Sequence, residues 1–280
     1  MTSPSIILIA LVALYPIIYA VWLSLHEYSL IQAGLSRWAS PSGFGNYIDA
    51  FKDSEFWSAV RVTLIFTVVS VFFETVIGLG MAMAMHAAFR GQGILRTVVL
   101  VPWAVLTVVT AIMWRTIVDA NLGFVNQLLG THKVWLGEEP WALIVMIVAD
   151  VWKTAPFMAL LLLAGLQVIP SEIYEAAKVD GATAWQRFQR ITLPLLTPAL
   201  LVALIFRTLD ALRIFDLPKV LTNGANGTTS LSLLAQRTFQ ENRLYGEGAT
   251  ISVLTFLLVM LVSFAYIRLV GGNIRGMTED

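Results

Sequence analysis

Six apolar runs alternate with polar stretches along this chain, covering about residues 6–25, 59–85, 94–118, 141–168, 195–221 and 249–270. Each reaches or exceeds the roughly 20 residues that an α-helix needs to cross the hydrocarbon of a bilayer. An even number of spans places both termini on one side of the membrane. The pattern therefore predicts an all-α integral membrane protein of about six transmembrane helices, built as a single transmembrane domain over residues 1–280. Residues 6–25 lack a basic leader and a small-residue cleavage site, so they read as a retained span rather than a signal peptide. The absence of that leader is compatible with a natural chain that begins earlier.

Prolines at 16 and 156 fall inside two of the runs and predict kinks, because proline removes a backbone donor and crowds the preceding turn, and Pro102 lies early in a third. The polar interruption at 171–194 has a helical pattern of its own. Ser171 follows Pro170 and can cap a helix, Glu172 and Glu175 lie in its first turn, and Ala176 and Ala177 sustain it. Gly181 is where the chain can turn. A second short helix from Thr183 through Trp185 and Phe188 is expected to stop at Leu193-Pro194, where the next apolar run opens.

Composition agrees with a membrane setting: 58% of residues are hydrophobic, 13% are charged, and the mean hydropathy is +0.77. Soluble domains carry about a quarter charged residues. Lys plus Arg and Asp plus Glu are both 18, with no basic patch to suggest a nucleic-acid partner. Without cysteine there are no disulfides, thiolate metal sites or cysteine nucleophiles. His26, His86 and His132 are far apart and lack metal-ligand spacing. The glycine-rich stretch at 223–230 lacks the lysine of a phosphate-binding loop, so ATP hydrolysis is not expected on this chain. Seven Lys and Arg lie in the stretches on the side of the 171–194 loop (86–96, 170–194, 268 onward), against five in the opposite loops. By the positive-inside rule this difference is too small to set the orientation alone.

The spacing Glu175-Ala176-Ala177, three residues, Gly181, nine residues, Ile191, one residue, Leu193-Pro194 matches every position of the EAA loop of binding-protein-dependent ABC importer permeases. Phe44-Gly45-Asn46-Tyr47, Arg90-Gly91 with Arg96 and Pro102, and Gly123-Phe124-Val125-Asn126 also resemble the sugar-type members of that family. The chain looks most similar to the trehalose-importing permeases of mycobacteria, and resembles the maltose and glycerol-phosphate importers in the same segments. The resemblance implies the type I importer permease fold and a multi-pass protein of the bacterial cell membrane with both termini cytoplasmic. It further implies a coupling helix, carried by Glu172, Glu175, Ala176, Ala177, Asp180, Gly181, Ile191, Leu193 and Pro194, that docks on an ATP-hydrolysing partner. The implied partners are a second homologous permease, two ATP-binding subunits holding ATP and Mg, and an extracytoplasmic sugar-binding protein. No cofactor is expected on this chain.

Ionisable residues within the apolar runs are costly at membrane depth and normally face a partner or an aqueous cavity. Arg207 lies thirteen residues past Pro194, or roughly 20 Å along a helix. Arg207, Asp210 and Arg213 follow i, i+3 steps, which suits a local ion-pair ladder or a cavity wall that meets a polyhydroxylated solute. Asp150 and Lys153 form a second i, i+3 pair, read as structural pairing near Pro156. Glu74 stands alone in its span and needs a partner from elsewhere. Trp103, Trp114 and Trp152 are candidates either to stack on sugar faces or to anchor spans at the interface. Two functions remain open: a permease subunit forming half of the pathway for a sugar, which the resemblance implies to be a disaccharide such as trehalose, and an ion- or proton-coupled secondary transporter or channel using Glu74, Asp150 or Asp210.

Overall fold

Helices carry nearly all of the apolar pattern in the computed structural model, which describes residues 3–28, 40–87 and 91–277. Arg90, half of the Arg-Gly pair read from the sequence, lies outside them. In order the helices are α1 (Ser3–Ser24), α2 (Gly45–Lys52), α3 (Ser54–His86), α4 (Gln92–Ala104), α5 (Thr107–Ile117), α6 (Phe124–Leu129), α7 (Trp141–Val168), α8 (Ser171–Val179), α9 (Ala184–Arg187), α10 (Leu193–Ala211), α11 (Asp216–Leu221), α12 (Leu231–Gln236) and α13 (Tyr245–Met277). Single π-helical turns occupy Phe188–Thr192 and Arg237–Glu241.

Among the described residues four helices are long and apolar enough to cross a bilayer: α3, α7, the continuous helix Ala184–Ala211, and α13. The expected run at 94–118 is not one straight span. It is the pair α4 and α5, bent by 91°, because Val105 and Leu106 adopt extended backbone just after Pro102 has removed a donor from the last turn of α4. Counted as one span, the pair makes five. In α1 the apolar stretch Leu14–Ser24 is by itself shorter than a crossing. The expected run at 195–221 is also divided. α10 ends at Ala211, and α11 restarts at Asp216 with Pro218 in its first turn, where no backbone donor is required.

The bundle is built on the seam between α3 and α7, with α10 laid across both. Gly78 lets α3 approach α7 closely: a Cβ there would lie 2.8 Å from Met158 Cγ and 3.1 Å from the Ala155 carbonyl. Phe66, Val71, Met146 and Ala149 fill this seam toward α5 and α11, while Met85, Leu162, Leu166 and Leu196 fill it toward the other end of α10. Two buried asparagines fix the connections. Asn46 donates to the carbonyls of Ser24 and His26, tying α2 to the end of α1. Asn126 donates to those of Asp119, Ala120 and Lys133 and accepts from Thr131 and Trp135, which closes the 119–140 connection on itself. A side chain that satisfies five partners accounts for an asparagine at that position of the Gly-Phe-Val-Asn segment.

Candidate functional site

The polar hairpin after α7 is made by local chemistry. α8 closes on a left-handed glycine: Gly181 has φ +77°, the Ala182 N–H donates to the Ala177 carbonyl at 2.9 Å, and the Gly181 N–H donates to that of Lys178 at 3.1 Å. That pair of bonds ends a helix by satisfying carbonyls that would otherwise lack donors. Thr183 then starts α9 with a reciprocal cap, its hydroxyl accepting from the Gln186 N–H while the Gln186 side chain accepts from the Thr183 N–H. Ser171 does not act as the expected cap. Pro170 occupies the capping position, and no side chain caps α8.

Leu193-Pro194 does not stop the helix either. The chain runs on from Ala184 to Ala211 because the π-turn at Phe188–Thr192 immediately precedes the proline. This wider turn relieves the crowding between the proline ring and the preceding carbonyls, and the ring enters α10 as its second residue. The Tyr174 hydroxyl meets that of Thr192 at 3.0 Å, clamping α8 to the root of α10. Glu172, Glu175, Ala176, Asp180, Gly181, Leu193 and Pro194 are exposed, whereas Ala177 and Ile191 are half-buried. Val179 and Trp185 beside them are exposed apolar side chains.

The ionisable residues of the spans converge on one guanidinium. Glu74 from α3, Asp150 from α7 and Asp210 from α10 surround Arg207 of α10. Arg207 Nε donates to Glu74 Oε2, and Nη2 donates to Glu74 Oε1 at 2.9 Å and to Asp150 Oδ2. Nη1 donates to Asp210 Oδ2 at 2.8 Å. The Thr154 hydroxyl donates to Glu74 Oε1 at 2.7 Å. Glu74 and Arg207 are 0% and 3% exposed, whereas the Asp210 side chain is 71% exposed. Burying such charges is tolerable only because each is paired and hydrogen-bonded, and removing one partner from a buried pair costs about 3–5 kcal/mol.

Glu74 has the partner from elsewhere that it needs, 133 residues away on α10. Two other expectations change here. Asp150 turns to Arg207, and among the described residues Lys153 makes no ion pair. The proposed ladder stops at Asp210: Arg213 lies beyond the last turn of α10 and donates to the Leu209 carbonyl instead. Glu74 and Asp150 thus share one permanent cation, Arg207.

Beside the cluster lies a cavity of about 450 Å³. Asp150, Lys153, Thr154, Arg207, Asp210, Arg213 and Asp216 supply its polar wall, and Trp103, Phe157, Phe206 and Phe215 its aromatic wall. Trp103 stacks on Phe157 with ring centroids 5.7 Å apart. Trp114 and Trp152 do not reach this cavity. They meet edge to face, 6.3 Å apart, in a separate apolar pocket of about 660 Å³ between α3, α4, α5 and α7. Trp103 lies on α4 before the break at 105–106, Trp114 on α5 after it, and Trp152 on α7. Thr154, Phe157, Phe206 and Asp216 were not singled out from the sequence. Thr154 lies one helical turn past Asp150, and Phe157 one turn past Lys153, which was a usable signal. Phe206 and Asp216 carried none.

The family of binding-protein-dependent transport system inner membrane components matches residues 75–276. The chain is 41% identical over 276 residues to the trehalose transport system permease protein SugA of Mycobacterium tuberculosis, covering 99% of this chain and 89% of that protein. It is 43% identical over 274 residues to the trehalose/maltose transport system permease protein MalF of Thermococcus litoralis, covering 96% and 91%. Among solved structures, a bacterial ABC transporter involved in the import of the acidic polysaccharide alginate superposes with a TM-score of 0.82 at 23% identity, covering 95% of this chain and 92% of that one. The helical bundle, its polar hairpin and these similarities together establish that the chain belongs to the binding-protein-dependent ABC importers as an inner-membrane permease component, a multi-pass transport subunit rather than an enzyme.

Proposed function

We propose that this permease forms half of the translocation pathway of an importer for a neutral disaccharide of the trehalose or maltose type, and that solute passes through the cavity beside Arg207. The observation that carries the reading is the make-up of that cavity. Its wall has three acids, Asp150, Asp210 and Asp216, against three bases, Lys153, Arg207 and Arg213, and faces a group of aromatic rings. Balanced charges offer donors and acceptors to hydroxyl groups without favouring an ion, and aromatic faces suit the apolar faces of sugar rings. The trehalose and maltose permeases among its relatives support a disaccharide.

In this reading the exposed hairpin at 171–194 lies in the cytoplasm, as do both termini, and docks on one of two ATP-binding subunits that hold ATP and Mg. A second, homologous permease supplies the other half of the pathway, and an extracytoplasmic binding protein delivers the sugar. Closure of the ATP-binding subunits moves the hairpin, and the unbroken helix Ala184–Ala211 carries that motion to Arg207. The test is uptake by the complex reconstituted in proteoliposomes with its binding protein. Trehalose or maltose is expected to be taken up and to stimulate ATP hydrolysis, whereas an acidic sugar is not. Uptake driven by an ion gradient without ATP, or preference for the acidic sugar, would contradict the proposal.

A further inference from the structure

We propose that Glu74, which does not line the cavity, is a positioning residue for solute recognition that acts through Arg207 on the carboxylate of Asp210. This rests on the reading that Asp210 meets the solute. The guanidinium is a rigid plane with its donors in fixed directions, so fixing one edge fixes where the other points. Glu74 holds the edge formed by Nε and Nη2 with both of its oxygens. It is itself held by the Thr154 hydroxyl. The opposite nitrogen, Nη1, donates to Asp210 Oδ2 at 2.8 Å.

Asp210 depends on that bond. Its side chain is 71% exposed, and Arg207 is its only side-chain partner among the described residues. A carboxylate so open to water samples several rotamers unless a neighbour holds it. Asp150 touches the same guanidinium only through Nη2, so without Glu74 the plane is free to swing toward either aspartate. Glu74 thus sets the direction in which Asp210 presents its free oxygen to the cavity, from a position that no solute reaches.

The experiment measures equilibrium binding of radiolabelled trehalose and maltose to the complete complex in nanodiscs, without the binding protein. Wild type is compared with Glu74→Gln, Asp210→Asn and the double variant, and the thermal midpoint of each complex is recorded alongside. Glu74→Gln and Asp210→Asn are each expected to weaken binding by about tenfold, and the double variant by no more than the weaker-binding single variant, because both act through one carboxylate. Binding losses that multiply to about a hundredfold would overturn the positioning role while leaving Asp210 as a solute contact. A Glu74→Gln complex with a lowered midpoint and wild-type affinity would make the residue purely structural. Wild-type affinity in Asp210→Asn, or no binding of either sugar by wild type, would instead overturn the solute site itself. Should Glu74→Gln fail to assemble, Glu74→Asp keeps the charge but withdraws the fork by one methylene. It is expected to lose affinity less than tenfold and to lose nothing further in the Asp210→Asn background, and an independent further loss there would overturn the proposal.

Discussion

The hairpin at 171–194 and the cluster around Arg207 are both polar interruptions of an apolar chain, yet they are held in opposite ways. In the hairpin the bonds that shape the turn stay within five residues, between Ala182 and Ala177, Gly181 and Lys178, and Thr183 and Gln186. Most of its side chains are exposed. In the cluster the bonds join residues 133 and 57 positions apart, and Glu74 and Arg207 are withdrawn from water. A structure made locally and left exposed can be pushed by a partner without unfolding. A structure made from distant charges in a packed interior resists rearrangement, because a half-paired buried charge is costly. The helix Ala184–Ala211 connects the two without interruption.

Substitutions in the two regions should therefore differ most in stability. Arg207→Met leaves Glu74 and Asp150 buried without their cation and is expected to destabilise the subunit by about 3–5 kcal/mol, read as a lower thermal midpoint or loss of assembled complex. A midpoint like that of wild type would mean that the carboxylates find other partners and that the cluster does not hold α3, α7 and α10 together. Thr183→Ala removes the cap of α9 and is expected to cost only about 1 kcal/mol, visible as faster amide exchange across 183–187. If it lowered the midpoint of the whole complex as much as Arg207→Met does, the hairpin would not be the independent, locally built element described above.

The same contrast decides what could be read from the residues alone. The glycine turn at Gly181 and the helix starting at Thr183 were legible because their chemistry is written within a few residues. Helix α3 was legible as an apolar run, and Glu74 as a residue in need of a partner, but nothing in its neighbourhood names Arg207. The pairing Asp150 with Lys153 was wrong for the same reason: the i, i+3 spacing was correct, but a buried guanidinium on another helix outcompetes a half-exposed lysine. The bend at 105–106 was hidden because Val105 and Leu106 are as apolar as their neighbours and extend the run by composition while breaking it by conformation. The placement of Trp103 in one cavity and of Trp114 with Trp152 in another was equally out of reach. At Pro194 the proline is visible in the sequence, but the π-turn that accommodates it is not.

In the proposed function, work enters at the hairpin and sugar is met near Arg207, on one continuous helix. The most direct test is trehalose-stimulated ATP hydrolysis by the reconstituted complex, titrated over sugar concentration for wild type, Gly181→Pro and Asp210→Asn. Proline cannot adopt the φ of +77° at position 181, so Gly181→Pro is expected to abolish stimulation at every concentration while the two permeases remain assembled. Asp210→Asn is expected to raise the half-maximal sugar concentration by about tenfold and to keep the full stimulation at saturation. Superimposable curves for the three proteins, or full stimulation in Gly181→Pro with none in Asp210→Asn at saturation, would contradict it.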